Sequence, residues 1–63
     1  MALRDADYEA MDALIRESLT EDNFVAMVKE ARSLSNWAWG LIEARDFVTR
    51  IYSDKFGRPP RIG

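Results

Sequence analysis

Apolar residues recur at three- and four-residue intervals along most of this chain, which is the spacing of helices that bury one face. Proline is absent before Pro59, and glycine is absent before Gly40, so no strong helix breaker interrupts the first part. Three apolar stripes can be traced, at Tyr8, Met11, Leu14, Ile15 and Leu19, at Phe24, Met27, Val28, Ala31 and Leu34, and at Trp37, Leu41, Ala44, Val48, Ile51 and Tyr52. The pattern predicts an all-α fold, a small three-helix bundle with helices near 6–18, 21–33 and 36–54.

Residues that favour helix ends support these boundaries. Asp5 and Asp7 suit the first turn of the first helix, where acidic side chains oppose the helix dipole. Thr20, which precedes two acidic residues, is predicted to cap the second helix. Gly57 suits the end of the third helix, and Pro59-Pro60 forbids its continuation. We therefore expect one helical domain over 1–57 and a flexible tail over 58–63.

The segment 33–36, Ser-Leu-Ser-Asn, lies between the second and third stripes, and its structure can be predicted in two ways. Small polar side chains compete for backbone hydrogen bonds, so the segment is predicted to be a turn and a new helix start. The second and third stripes can also be joined at helical spacing through this joint. In that alternative the protein is a helical hairpin with a long second helix, and two copies form a four-helix bundle.

Composition narrows the class of protein. The 63 residues suffice for one domain, and 48% of them are hydrophobic, which argues against disorder. The longest apolar stretches fall far short of the ~20 residues that span a bilayer. The N-terminus resembles no secretory signal. We therefore expect a cytoplasmic protein with no membrane partner.

The residue types also bear on chemistry. The chain has no cysteine and no histidine, so disulfides, thiolate and imidazole metal ligands and the usual general base are absent. No phosphate-binding loop or nucleophile motif occurs. We predict a non-enzymatic protein with no cofactor, no metal and no small-molecule substrate. A chain this short has a small core, and association is the means of stabilisation that remains.

Two tryptophans, Trp37 and Trp39, are the most informative side chains. On a helix that starts at residue 36 they point to nearly opposite sides, because each residue turns the helix by about 100°. Trp37 belongs to the third stripe, so Trp39 falls on the polar face with Ile42, Glu43, Asp46 and Arg50. Tryptophan is enriched at protein interfaces, so these five residues are predicted to bind a protein partner or a second copy. The alternative is that the first helix covers Trp39.

Other apolar side chains outside the stripes are given structural roles. Phe47 flanks the third stripe and is expected to be buried. Phe56 is expected to pack at the end of the third helix. Val25 is expected to be a single exposed valine of no special meaning.

Charge is unevenly distributed along the chain. Residues 1–36 hold four basic and eight acidic side chains, and residues 37–63 hold five basic and three acidic ones. Helix dipoles account for much of this pattern. The basic end suggests an alternative contact with nucleic acid or an acidic partner through Lys55, Arg58 and Arg61, although the pI near 4.9 argues against a nucleic-acid-binding domain.

Three functions follow from these observations. The first is a protein-interaction module, adaptor or regulator that acts through a helical surface and self-associates as a homodimer. The second is a nucleic-acid-associated accessory protein. The third is a structural subunit of a larger assembly, of the kind that phages encode.

Overall fold

The computed structural model describes residues 5–35 and 38–60, with side chains from residue 7 onward. This part of the chain forms three helices, α1 (Asp5–Ser18), α2 (Phe24–Leu34) and α3 (Leu41–Phe56). Every pair of helices is in contact, and α2 and α3 contact each other most extensively. The predicted three-helix bundle is confirmed. The hairpin alternative is wrong, because α2 and α3 are separate helices.

The core lies between the three helices and uses most of the predicted stripe positions. Its buried cluster comprises Ile15 and Leu19, then Phe24, Val28 and Ala31, then Ala44, Val48, Ile51 and Tyr52. Burying one large aliphatic side chain contributes about 1.5–3 kcal/mol, so a cluster of this size is a modest driving force. Among the described stripe members, Tyr8, Leu14 and Leu41 are exposed, at 39%, 52% and 57%, and Met27 and Leu34 are half-buried. Among the described helices, none has the length and apolar content needed to cross a membrane.

Ser35 organises the joint between α2 and α3. Its side chain is fully buried, and its hydroxyl donates a hydrogen bond to the Arg32 carbonyl oxygen at 2.7 Å. The same hydroxyl oxygen accepts a long hydrogen bond from the Trp39 backbone N–H at 3.4 Å. The predicted break is therefore confirmed, and a local side-chain-to-backbone hydrogen bond of the expected type accompanies it.

The third helix begins later than the predicted residue 36. Residues 38–40 are not helical, and Gly40 is the N-cap of α3, with extended backbone angles. The Glu43 carboxylate folds back over this end, close enough that a Cβ at Gly40 would lie 2.9 Å from one carboxylate oxygen. An acidic side chain near the positive end of the dipole stabilises this start.

The cap predicted at Thr20 is wrong. α2 starts at Phe24 with Asn23 as its N-cap residue. Asn23 turns its side chain back into the loop, where Oδ1 accepts from the Thr20 N–H at 2.7 Å and Nδ2 donates to the Ser18 carbonyl at 2.9 Å. The Thr20 hydroxyl accepts from the Asp22 N–H within the same loop. These hydrogen bonds make residues 20–23 part of a loop that packs against the end of α1, so α2 starts later than predicted.

The end of α3 follows the predicted pattern closely. Gly57 adopts a left-handed conformation with φ 74° and donates its N–H to the Ser53 carbonyl at 2.9 Å. Glycine adopts this conformation at no steric cost. Phe56 is half-buried and packs on Tyr52, with ring centroids 4.6 Å apart.

Candidate functional site

Trp39 does not lie on a helix, so the geometric reason given for its exposure is wrong. It lies in the non-helical segment 38–40, directly before α3. Trp37, its predicted opposite on that helix, lies outside the described residues. The Trp39 side chain is half-buried and packs against the core.

Trp39 is part of a row of three aromatic rings that joins α1 to α3. The Tyr8 and Trp39 rings are 5.7 Å apart between centroids, and the Trp39 and Phe47 rings are 4.9 Å apart. Both pairs are tilted, a geometry that contributes about 0.5–1.5 kcal/mol beyond burial. The first helix therefore does reach Trp39, but it covers the ring only in part. Phe47 is likewise half-buried rather than buried.

These rings line a depression that we call the aromatic cleft. Its volume is about 210 Å³, and its lining comprises Tyr8, Trp39, Glu43, Asp46, Phe47 and Arg50. Four of the five side chains predicted to bind a partner thus meet in one place. A second depression, lined by Tyr8, Glu9, Asp12 and Phe47, extends the cleft along α1.

Ile42, the fifth predicted residue, does not line the aromatic cleft, but it meets Glu43 and Asp46 in a depression of about 570 Å³ on α3. It lines an apolar groove of about 230 Å³ together with Phe24, Val25, Val28, Leu41 and Arg45. Ile42 is 83% exposed and Val25 is 65% exposed, which is unusual for adjoining aliphatic side chains. The exposed faces of α2 and α3 therefore form a continuous apolar surface between them.

Sequence reasoning missed two members of this apolar groove. Val25 was interpreted as isolated because no other exposed apolar side chain is near it in the sequence. Leu41 was assigned to the core stripe because its spacing fits. Consecutive helical residues lie about 100° apart and can both face a core, as Ile51 and Tyr52 do, so the spacing of Leu41 and Ile42 does not show that either is exposed.

The side chains that suggested a nucleic-acid contact are engaged within the fold. The Lys55 ammonium donates hydrogen bonds to the carbonyl oxygens of Arg16 and Leu19, at 2.5 and 2.7 Å. Arg58 forms an ion pair with Glu21. Arg61 lies outside the described residues. The nucleic-acid contact stays a prediction, and two of its three side chains already have partners.

The charged groups at the aromatic cleft are mostly carboxylates. Asp46 forms an exposed ion pair with Arg50 at 3.5 Å, and Asp12 pairs with Arg16 at 3.0 Å. The hydrogen bonds that the Arg16 guanidinium donates to Asp12 and then to Asp54 raise its pKa above the ordinary value. Glu9 and Glu43 have no ion-pair partner within the described part of the chain.

The carboxylates that line the cleft and its extension are those of Glu9, Asp12, Glu43 and Asp46. Within the described residues, no three acidic side chains come together as a set that could hold a metal ion. Comparison with known proteins finds no matching family model, no similar curated protein and no similar solved structure.

Proposed function

We propose that this protein is a small non-enzymatic interaction module that self-associates as a homodimer through the apolar groove between α2 and α3. The observation that carries the proposal is the cluster of three exposed aliphatic side chains, Val25, Leu41 and Ile42, around one groove. Exposed contiguous apolar surface on a small protein is typical of interaction sites. Removing it from water on association is favourable.

The shape of the groove favours a protein side chain as its occupant. Its volume of about 230 Å³ is below the range of roughly 300–1,000 Å³ that is usual for small-molecule pockets. Ile42 projects at its rim, so one surface carries both a protruding side chain and a depression. A two-fold dimer needs this self-complementarity, because the same patch must serve both copies.

The charged side chains beside the groove also favour a second copy of the protein as its occupant. Arg45 lines the groove and also borders the outer surface of α3 with Ile42, Glu43, Asp46 and Thr49. If two α3 helices cross in antiparallel fashion, we expect Arg45 of each copy to lie near an acidic side chain of the other, such as Asp46. Such pairs set the register of an interface more than its affinity.

Sedimentation equilibrium over a wide concentration range tests the homodimer. We expect the unaltered protein to show a concentration-dependent monomer–dimer equilibrium. Ile42→Asp places a charge in the interface and is expected to shift the protein to monomer, whereas Leu14→Asp is the matched control. Leu14 is also exposed, at 52%, but lies on α1 outside the groove.

Both variants change exposed positions, so helicity by circular dichroism should be retained. A monomer at all accessible concentrations contradicts the proposal. Equal loss of association in the Ile42 and Leu14 variants contradicts the assignment to this groove.

A further inference from the structure

The aromatic cleft has a chemistry different from that of the apolar groove. We propose that it binds an arginine side chain carried by an exposed basic segment of another protein. This inference goes beyond self-association, and it concerns a separate surface formed by α1, α3 and the connection that holds Trp39.

The aromatic rings provide a stacking surface for a cation. Tyr8 is 39% exposed, and Trp39 and Phe47 are half-buried, so part of each ring faces the solvent. A ring face is negative, and it attracts a guanidinium within about 6 Å of the ring centroid. Tryptophan gives the strongest such contact, and Trp39 is the central ring of the row.

The charges around the rings favour a cationic ligand as well. Four carboxylates border the cleft and its extension, at Glu9, Asp12, Glu43 and Asp46. Arg50 and Arg16 neutralise two of them, and Glu9 and Glu43 keep their charge without an ion-pair partner among the described residues. The Glu43 carboxylate lies beside Gly40 at the start of α3, and Glu43 and Trp39 both line the cleft. An anionic ligand would be repelled by this arrangement.

Arginine fits this cleft better than a metal ion or lysine. Across the described residues no group of acidic side chains could hold a metal ion, which leaves an organic cation as the ligand to consider. The guanidinium stacks flat on aromatic rings, binds carboxylates at its edge and is more weakly hydrated than an ammonium. An arginine side chain can therefore lie on the rings with its edge toward Glu9 or Glu43.

The test is a titration of the full chain with short peptides, followed by two-dimensional NMR of the amide and indole N–H groups. The probe is a peptide of alternating glycine and arginine, and the matched peptides carry citrulline or lysine in place of arginine. We expect the arginine peptide to shift the Trp39 indole signal, assigned with a Trp37→Phe variant. We expect several-fold weaker binding of the lysine peptide and no binding of the citrulline peptide.

Charge variants locate the site. Glu9→Gln and Glu43→Gln should each weaken binding by about twofold to fivefold, the effect of losing one exposed ion pair. Glu17→Gln on α1 removes the same charge outside the cleft and should change binding little. Arg50→Gln removes a competing cation and should strengthen binding, whereas Lys29→Gln on α2 should not.

Several results would overturn the proposal. Equal binding of the citrulline peptide excludes a charge-dependent site, and equal binding of the lysine peptide excludes guanidinium stacking. Equal weakening by Glu17→Gln and Glu43→Gln shows diffuse attraction to an acidic protein. Ile42 does not line the cleft, so the titration can be repeated in Ile42→Asn, which removes the apolar side chain from the groove without adding a carboxylate beside Glu43, and its outcome is independent of the homodimer.

Discussion

At the scale of single residues, Ser35 shows how one buried hydroxyl decides where a helix ends. It is a fully buried polar side chain, and its hydroxyl serves the Arg32 carbonyl and the Trp39 N–H at once. A buried polar group that lacks a partner costs about 1–3 kcal/mol, so satisfied groups of this kind specify local structure. Ser35 thereby connects the end of α2 to the position of Trp39.

We predict that Ser35→Ala destabilises the protein by about 1–2 kcal/mol, because the Arg32 carbonyl and the Trp39 N–H both lose a partner. In a domain of this size that change lowers Tm by roughly 4–8 °C per kcal/mol, measured by thermal unfolding followed by circular dichroism. Ser33→Ala is the matched control, since Ser33 is exposed in the same joint. A Tm equal in the two variants would show that the Ser35 hydroxyl has no such role.

At the scale of elements, the helices are held together by side chains that reach from one helix to the end of another. Lys55 extends from α3 to two carbonyl oxygens at the end of α1 and lies 5.5 Å from the Phe56 ring centroid. Cations favour helix C-termini because they complement the dipole and the unpaired carbonyls. Arg16 links α1 to α3 in the other direction, through Asp54.

We predict that Lys55→Met lowers the free energy of unfolding by about 1 kcal/mol, since it removes a cation from the negative end of α1 but leaves the aliphatic part of the side chain. Urea unfolding should show a lower midpoint with an unchanged slope. Lys29→Met removes an exposed lysine from α2 and should leave the midpoint nearly unchanged. An unchanged midpoint for Lys55→Met would indicate that the carbonyls are served equally well by water.

At the scale of the whole molecule, two of the depressions on the surface differ in chemical character. The apolar groove lies between α2 and α3, and the aromatic cleft lies between α1 and α3. The third helix contributes to both, so it is the element that connects the two proposed contacts.

The proposed homodimer makes stability depend on concentration. Anything that binds the folded state but not the unfolded state raises the apparent stability by mass action. We predict that Tm of the unaltered protein rises by several degrees over a hundredfold increase in concentration, measured by calorimetry. Ile42→Asp should give a Tm that does not change with concentration. The same concentration dependence in both proteins would contradict stabilisation through the groove.

Sequence patterns predicted the helices better than they predicted the surroundings of Trp39. Three helices, the break near Ser35 and the end at Gly57 follow from periodicity and from residues whose backbone preferences are strong. The start of α3 could not be predicted in this way, because the small polar residues of segment 33–36 and Gly40 are both acceptable as the start of a helix. Because α3 starts after Gly40, Trp39 lies outside the helix and its side chain has different neighbours from those predicted.

The apolar periodicity by itself determined that this chain forms a bundle of helices with a core along three stripes, because helical spacing depends only on neighbouring residues. Tertiary structure alone decided which stripe members are covered. Leu41 has core spacing but stays exposed, while Tyr8 and Phe47 come together with Trp39 from distant parts of the chain. These outcomes depend on the angles and distances at which the helices pack against one another, and the spacing of residues along the chain does not determine them.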